Sequence, residues 1–367
     1  EFRRVLFRSY DLLRRDEALY EGQEFYACIL DEAQAIKNHT TQKYKAVCKV
    51  RSRVRFALTG TPVENRLGEL WSIFSFLMPG YLPPYKSFCS RFEKPIVQEE
   101  DQTAVRRLNQ LTGPFILRRM KSDVLKELPP KTENVYRIEL EEEQRKLYLA
   151  AVVDAREKLQ AAKPEDKMAV FAVLMRLREI CCDPRLIADN WEGGSAKLDA
   201  CAELVSSAVE GGHRILLFSQ FTSMLELLAK RLDAEGISHF TLQGSTPKPV
   251  RAELVRRFNG GEVSVFLISL RAGGTGLNLT AADIVIHYDP WWNVAAQNQA
   301  TDRAYRIGQQ NPVQVYKLIA QDTIEEKIVE LQQAKQSLAD TVTGTADGAI
   351  LSMRPDELLQ LLEGSEP

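Results

Sequence analysis

The chain has 367 residues, 44% hydrophobic and 27% charged, a globular balance that excludes disorder throughout. Its 48 basic and 50 acidic side chains leave a formal net charge of −2, which excludes a strongly basic coat protein but not a local basic groove. The length suggests roughly two to three domains. Cys28, Cys48, Cys89, Cys181, Cys182 and Cys201 form no CxxC pair, so a zinc ribbon is not expected and a reduced cytosolic setting is. No apolar run nears the roughly 20 residues that span a bilayer, and no secretory leader is expected.

Residues 1–9 (Glu1-Phe2-Arg3-Arg4-Val5-Leu6-Phe7-Arg8-Ser9) resemble the translation of a short-read sequencing adapter. They are expected to be non-native, ahead of a truncated gene fragment whose natural sequence starts near Tyr10; a basic amphipathic leader is the alternative. Phe25 to Leu30 predicts a buried strand ending at Asp31-Glu32, and Arg53 to Leu58 a second, closed by Thr59-Gly60-Thr61-Pro62. Leu67, Leu70, Trp71, Phe74 and Leu77 recur at helical spacing, and Pro79-Gly80 stops that helix. Residues 81–135 are mixed, with basic Arg118, Arg119, Lys121 and Lys126. Residues 140–181 predict two charged helices broken near Pro164.

From Ser195 strands and helices alternate. Ser195 is expected to cap a helix through Val209, ended by Gly211-Gly212. Strands are predicted at Ile215–Phe218, His239–Leu242, Val263–Ser269, Ile284–Tyr288 and Val313–Ile319. Helices are predicted from Thr222, over Val250–Phe258, over Asn293–Tyr305, from Thr323 to about Leu338, and weakly over Pro355–Leu362. This is the pattern of α/β architecture, with a parallel sheet covered on both faces. Ligands of such sheets sit at strand C-terminal ends, where every motif below falls.

Asp31-Glu32-Ala33-Gln34 follows a strand. An acid there can hold the Mg²⁺ of a nucleotide and its neighbour can orient water, although a solvated strand end or helix cap reads the same way. Thr59-Gly60-Thr61-Pro62 alone could be any tight turn. Arg271-Ala272-Gly273-Gly274-Thr275-Gly276-Leu277-Asn278 follows a strand directly, and its glycines permit close approach to a phosphate. Arg303 and Arg306 are three apart and share a helix face, suited to a transferring phosphoryl group or to a surface ion-pair face. Tyr288-Asp289-Pro290-Trp291-Trp292-Asn293 places two tryptophans at a strand end, where exposed rings would stack on bases and buried ones are core.

Taken in order, these segments resemble the SWI/SNF-type DNA-dependent ATPases of helicase superfamily two, from Tyr10 to about Leu338. Tyr10 to Asp16 is similar to the segment ahead of the family's Walker B strand, and Asp31 to Gln34 to the Walker B box. Leu58 to Asn65 is similar to motif III, and Phe115-Ile116-Leu117-Arg118-Arg119 to the linker between lobes. Phe218 to Phe221, Ser269 to Leu279 and Gln299 to Gln309 are similar to motifs IV, V and VI. The tail is more similar to prokaryotic members than to chromatin remodellers.

The resemblance implies two RecA-like lobes with parallel sheets, helical insertions between them and ATP in the cleft. Residues 10–130 would be the C-terminal part of lobe 1 with a helical protrusion, 131–190 a helical protrusion and linker, 191–345 lobe 2, and 346–367 a tail. Asp31 would hold Mg²⁺ and Glu32 activate water. Gln34, Thr59, Gly60 and Thr61 would couple nucleotide to DNA. Arg306 would be the arginine finger, with Arg303 beside it on the γ-phosphate. Gly274, Gly276 and Gln299 would line the nucleotide. Ser219, Gln220, Arg271, Gly273, Trp292 and Asn293 would face double-stranded DNA. The implied protein is a monomer, cytoplasmic and nucleoid-associated in a prokaryote. It would meet other nucleic-acid-associated proteins and no membrane.

No GxxxxGK[ST] occurs in the 367 residues, nor any Gly-Lys pair. The first lobe is therefore expected to be incomplete, without its P-loop strand, and to fold less well than the second. Two functions follow from this. One is a fragment of an ATP-driven double-stranded-DNA translocase, inactive alone. The other is a P-loop-less DNA-binding module of the same fold.

Overall fold

In the computed structural model, residues 6–20, 22–60, 67–99, 101–119, 121–163, 166–273, 276–332 and 355–363 are described. They divide into two compact units, the first ending at Arg118 and the second beginning at Arg119.

The first unit opens with α1 (Tyr10–Arg15), whose N-cap Ser9 accepts the Leu12 N–H at 3.3 Å. Next come β1 (Glu24–Leu30), α2 (Gln42–Lys49) and β2 (Arg51–Ala57). The two strands pair in parallel, with Leu30 opposite Ala57. The predicted amphipathic helix is α3 (Leu67–Leu77), followed by α4 (Tyr85–Phe88), a π-helical turn at Cys89–Glu93, α5 (Lys94–Gln98) and α6 (Gln102–Thr112). Leu70 and Phe74 of α3 pack with Phe88, Phe92 and Leu108. A smaller cluster of Leu30, Ala33, Ile36, Val47 and Phe76 anchors the C-terminal end of β1.

The second unit begins with the short α7 (Lys121–Val124) and β3 (Lys131–Ile138). β3 overturns the expectation of a helical stretch from residue 131. It pairs in parallel with β8 (Val313–Ala320), from Lys131 opposite Val313 to Ile138 opposite Ala320. The strand was hidden because it is an edge strand, exposed along all but its last residue, so its sequence carries no apolar alternation. Lys317 donates to Glu133 across this edge at 2.8 Å, and Arg137 pairs with Glu326 at 2.9 Å.

The two predicted helices follow as α8 (Glu142–Ala161) and α9 (Lys167–Cys182). Then come α10 (Ala196–Glu210), β4 (Ile215–Ser219), α11 (Thr222–Ala234), β5 (His239–Leu242), α12 (Lys248–Asn259), β6 (Val265–Ser269) and α13 (Leu270–Gly273). β7 (Ile284–His287), α14 (Val294–Thr301), β8, α15 (residues 324–332) and α16 (Pro355–Glu363) complete the unit. Ser195 has the extended backbone of an N-cap, yet its hydroxyl donates to the Cys182 carbonyl at 3.1 Å instead of capping α10.

All six strands run parallel in the order β3-β8-β7-β4-β6-β5. Alternate residues pack to opposite faces. Ile215 and Leu217 meet Val205, Leu225 and Leu228 of α10 and α11, while Leu216 and Phe218 meet Phe258 and Ala300 of α12 and α14. A third cluster joins Tyr148, Leu174 and Leu177 of α8 and α9 to Ile324, Ile328, Leu358 and Leu362 of α15 and α16. No helix among the described residues is long and apolar enough to cross a membrane.

Candidate active site

In the first unit β1 delivers Asp31 and Glu32 to its C-terminal end. Glu32 adopts a left-handed backbone (φ 50°, ψ 54°), a conformation that costs a non-glycine residue about 1–2 kcal/mol. Its surroundings impose it. The Leu58 N–H donates to the Leu30 carbonyl at 2.7 Å, and the Ala33 N–H donates back to the Leu58 carbonyl at 2.9 Å. Asp31 Oδ1 accepts the Glu32 N–H at 3.0 Å. Residues held in sparsely populated backbone conformations cluster at functional sites.

Gln34 joins the two predicted motifs. Its amide nitrogen donates to Glu32 Oε2 at 2.6 Å, and its carbonyl oxygen accepts the Thr59 hydroxyl at 2.8 Å. Asp31 is exposed, and the Tyr10 hydroxyl donates to its main-chain carbonyl at 2.7 Å. Burial, reinforced by the charge of Asp31, pushes the Tyr10 phenol above its ordinary range, so it stays a donor. Gly60 follows Thr59 in the turn, and none of the described residues lies within 4 Å of where its Cβ would stand. Thr61 lies outside the described residues.

In the second unit the predicted helix over Asn293–Tyr305 ends at Thr301. Arg303 and Arg306 therefore sit in the turns beyond α14, not on one helix face as expected. Both are pinned to the loop after β6. Arg303 is buried; its Nε donates to the Gly273 carbonyl at 2.9 Å, and its own carbonyl accepts the Leu279 N–H at 3.0 Å. Arg306 is partly exposed, and its Nη1 donates to the Leu277 carbonyl at 3.2 Å. Between these contacts Gly276 takes φ +36°, a value that favours glycine. Gln299 is partly buried on α14. Gly274 lies outside the described residues.

The expected DNA-facing residues divide into two groups. Arg271 is exposed at the C-terminal end of β6, and Gln220 is partly exposed after β4. The other four are committed within the fold. A Cβ on Gly273 would stand 2.8 Å from the Phe218 ring, so that glycine serves close packing. The Ser219 hydroxyl donates to Asp289 Oδ1 at 2.5 Å. The Asn293 side chain caps α14 through the Ala296 N–H at 2.7 Å. Trp292 is 3% exposed and packs among α8, α9 and α15, so it is core and not a stacking platform.

Two central residues went unassigned in the sequence. Asp289 follows β7 and is fully buried, as is its ion-pair partner Arg178 of α9, 3.1 Å away. The motif containing Asp289 was visible, but nothing local marks Arg178, which is 111 positions away.

Residues 2–186 match the SNF2-related domain, and residues 196–308 match the Helicase conserved C-terminal domain. The chain is 40% identical to a Mycoplasma pneumoniae protein named as an uncharacterized ATP-dependent helicase, over 98% of this chain and 34% of that protein. It is 35% identical to the mouse SWI/SNF-related matrix-associated actin-dependent regulator of chromatin subfamily A member 1, over 98% of this chain and 36% of that protein. The chain thus spans about a third of the length of these relatives. The Sulfolobus solfataricus SWI2/SNF2 ATPase core, solved in complex with dsDNA, is similar with a TM-score of 0.54 and 34% identity, over 95% of this chain and 75% of that one.

Proposed function

The chain belongs to the SNF2 family of helicase-like ATPases, and on that premise we propose that it carries the Walker B and arginine-finger portion of an ATP-driven motor on double-stranded DNA. The observation that supports this most directly is the connection Glu32–Gln34–Thr59. A carboxylate at a strand end can take the proton of an attacking water. The Gln34 amide reports its state to Thr59, the first residue of the turn ascribed to coupling.

Asp31 suits a divalent cation, because Mg²⁺ is commonly held by one or two carboxylates with phosphate oxygens and water completing its shell. Among the described residues no group of three or more metal-ligating side chains converges, so a full protein cage is not the fit. Bound there with nucleotide, Mg²⁺ would neutralise charge on the phosphate oxygens. Arg306 spends Nη1 on Leu277 and has the rest of a planar five-donor fork for a γ-phosphoryl group. The burial of Arg303 favours a different part, the support of the Gly273 carbonyl and the loop behind the finger. Arg271 and the turn at Gln220 are the parts of the expected DNA face that the fold leaves at least partly accessible.

The sequence contains no GxxxxGK[ST], and we ascribe to this chain DNA binding without hydrolysis of its own. The same absence favours the second reading, a DNA-binding module without catalysis. Fluorescence anisotropy of the 367-residue chain against labelled duplex DNA, with ATP turnover followed in parallel, tests the proposal. The expected result is duplex binding that weakens on a straight log–log plot against salt, preference over duplex RNA, and no DNA-stimulated turnover. Absence of salt-dependent duplex binding would sink the DNA reading. DNA-stimulated turnover would show that a phosphate cradle exists elsewhere in the chain.

A further inference from the structure

Arg178 presents a fully buried guanidinium on α9. Its Nη2 donates to Asp289 Oδ2 at 3.1 Å and to the Pro290 carbonyl at 2.5 Å. Nε and Nη1 have no hydrogen-bond partner among the described residues. The guanidinium carbon lies instead 4.7 Å from the ring centroid of Trp292, 5.4 Å from Phe221 and 5.7 Å from Trp291. Aromatic faces recover part of the lost hydration. A buried charge pair is nevertheless a weak source of stability, and apolar side chains in place of both partners commonly do as well. Holding α9 against the sheet therefore does not require this ion pair.

What the arginine does is specific to Asp289. That carboxylate accepts the Ser219 hydroxyl at 2.5 Å and the Gln220 N–H at 3.2 Å, in addition to Arg178. Burial pushes its carboxyl up, and Arg178 is the largest opposing influence, ahead of the Ser219 hydrogen bond and the charge of Lys197. One guanidinium thus governs two segments. One is the turn Ser219–Phe221 that leads into α11; the other runs from Asp289 through Trp292 into α14. The side-chain amide nitrogen of Gln220 is itself buried at this turn with no hydrogen-bond partner among the described residues, so the Asp289 carboxylate and the Ser219 hydroxyl, which accepts the Phe221 N–H at 3.2 Å, are what hold the turn.

We propose that Arg178 is a positioning residue for the turn at 219–221, locking it through Asp289 so that α9 and the DNA-facing turn behave as one body. This rests on the reading above that the turn meets duplex DNA. The test uses the 367-residue chain as wild type, Arg178→Met and Arg178→Lys. Amide hydrogen exchange is followed without DNA, and duplex affinity by anisotropy. In Arg178→Met the exchange of the Gln220 and Phe221 amides rises about tenfold or more, while Leu217 within β4 is unchanged. Duplex affinity falls about tenfold or more in the same variant. Arg178→Lys keeps a cationic donor within reach of Asp289 and Pro290, and restores both readouts to within about threefold.

A rise in exchange spread evenly over the second unit would mean simple destabilisation and overturn the proposal. Local release with unchanged duplex affinity would overturn it as well. If the wild type binds no duplex, the DNA reading falls on its own, and the local exchange arm alone decides whether Arg178 locks the turn.

Discussion

Two strands of this protein end alike and fare differently. β1 and β7 are both short apolar runs closed by an aspartate, Asp31 and Asp289. β7 lies between β8 and β4 with helices over both faces, and every residue in it is buried. Among the described residues β1 has one neighbour, β2, and its Tyr26 and Ile29 are 76% and 61% exposed, with Phe56 of β2 at 53%. An aspartate at the end of the covered strand becomes a structural centre, taking three hydrogen bonds in the core. The aspartate at the end of the open strand stays accessible and can serve a ligand. Burial of the neighbouring strands, not the local sequence, separates the two roles. Parallel strands are ordinarily covered on both faces, and β1 and β2 leave Tyr26, Ile29 and Phe56 largely exposed.

The contrast is sharpest in acid. Burial, with the nearby charge of Lys317 adding to it, pushes His287 of β7 down to about 3, while Nε2 sits 2.9 Å from the Thr301 hydroxyl. An unfolded histidine protonates near pH 6.5, so below that value only the unfolded chain takes up the proton. The stability due to neutral His287 is therefore fully present above about pH 6.5 and lost as the pH falls toward about 3. The loss is about 1.4 kcal/mol for each pH unit, on the order of 4–5 kcal/mol in all. Denaturant unfolding of the second unit as a function of pH should show this slope, and His287→Gln should flatten it by one proton. An unchanged slope would mean that the burial of β7 is not what sets it.

A smaller effect separates the units at neutral pH. Limited proteolysis should cut residues 24–57 at least about 100-fold faster than residues 215–320, the ratio given by a gap of ~3 kcal/mol in opening free energy. Equal resistance of the two regions would remove the distinction between an open sheet and a covered one.

The same contrast explains what could be read from sequence. β4, β6 and β7 were legible because a strand buried on both faces is apolar on both, as Ile215-Leu216-Leu217-Phe218 is, with polar Ser219, Ser269 and His287 only at the strand ends. β3 was not legible, because an edge strand with only Ile138 buried has no reason to be apolar. The helix predicted to Tyr305 stops at Thr301 because the loop after β6 captures Arg303 and Arg306 through main-chain carbonyls, a competition invisible to periodicity. Asp31 and Glu32 stand out by their place at a strand end, Gln34 and Thr59 take their roles from the family resemblance, and the hydrogen bonds joining Glu32, Gln34 and Thr59 belong to the fold. Trp292 could have been core or surface until the partner over its ring was known, and that partner lies on α9.

The finest probe removes a single methylene from each strand. Ile286 of β7 is fully buried and packs with Leu217, Leu267 and Leu318, whereas Ile29 of β1 has most of its surface in water. Ile286→Val should cost about 0.5–1.5 kcal/mol, because the lost methylene leaves a void that flanking strands cannot close. Ile29→Val should stay within about 0.5 kcal/mol, since an exposed site loses little packing and leaves no cavity. Urea midpoints of the two variants, compared at constant m-value, measure the difference. Equal costs would mean that the face of β1 bearing Ile29 is covered in solution, by another part of this chain or by a second copy. Analytical ultracentrifugation of the same samples would then tell those two apart.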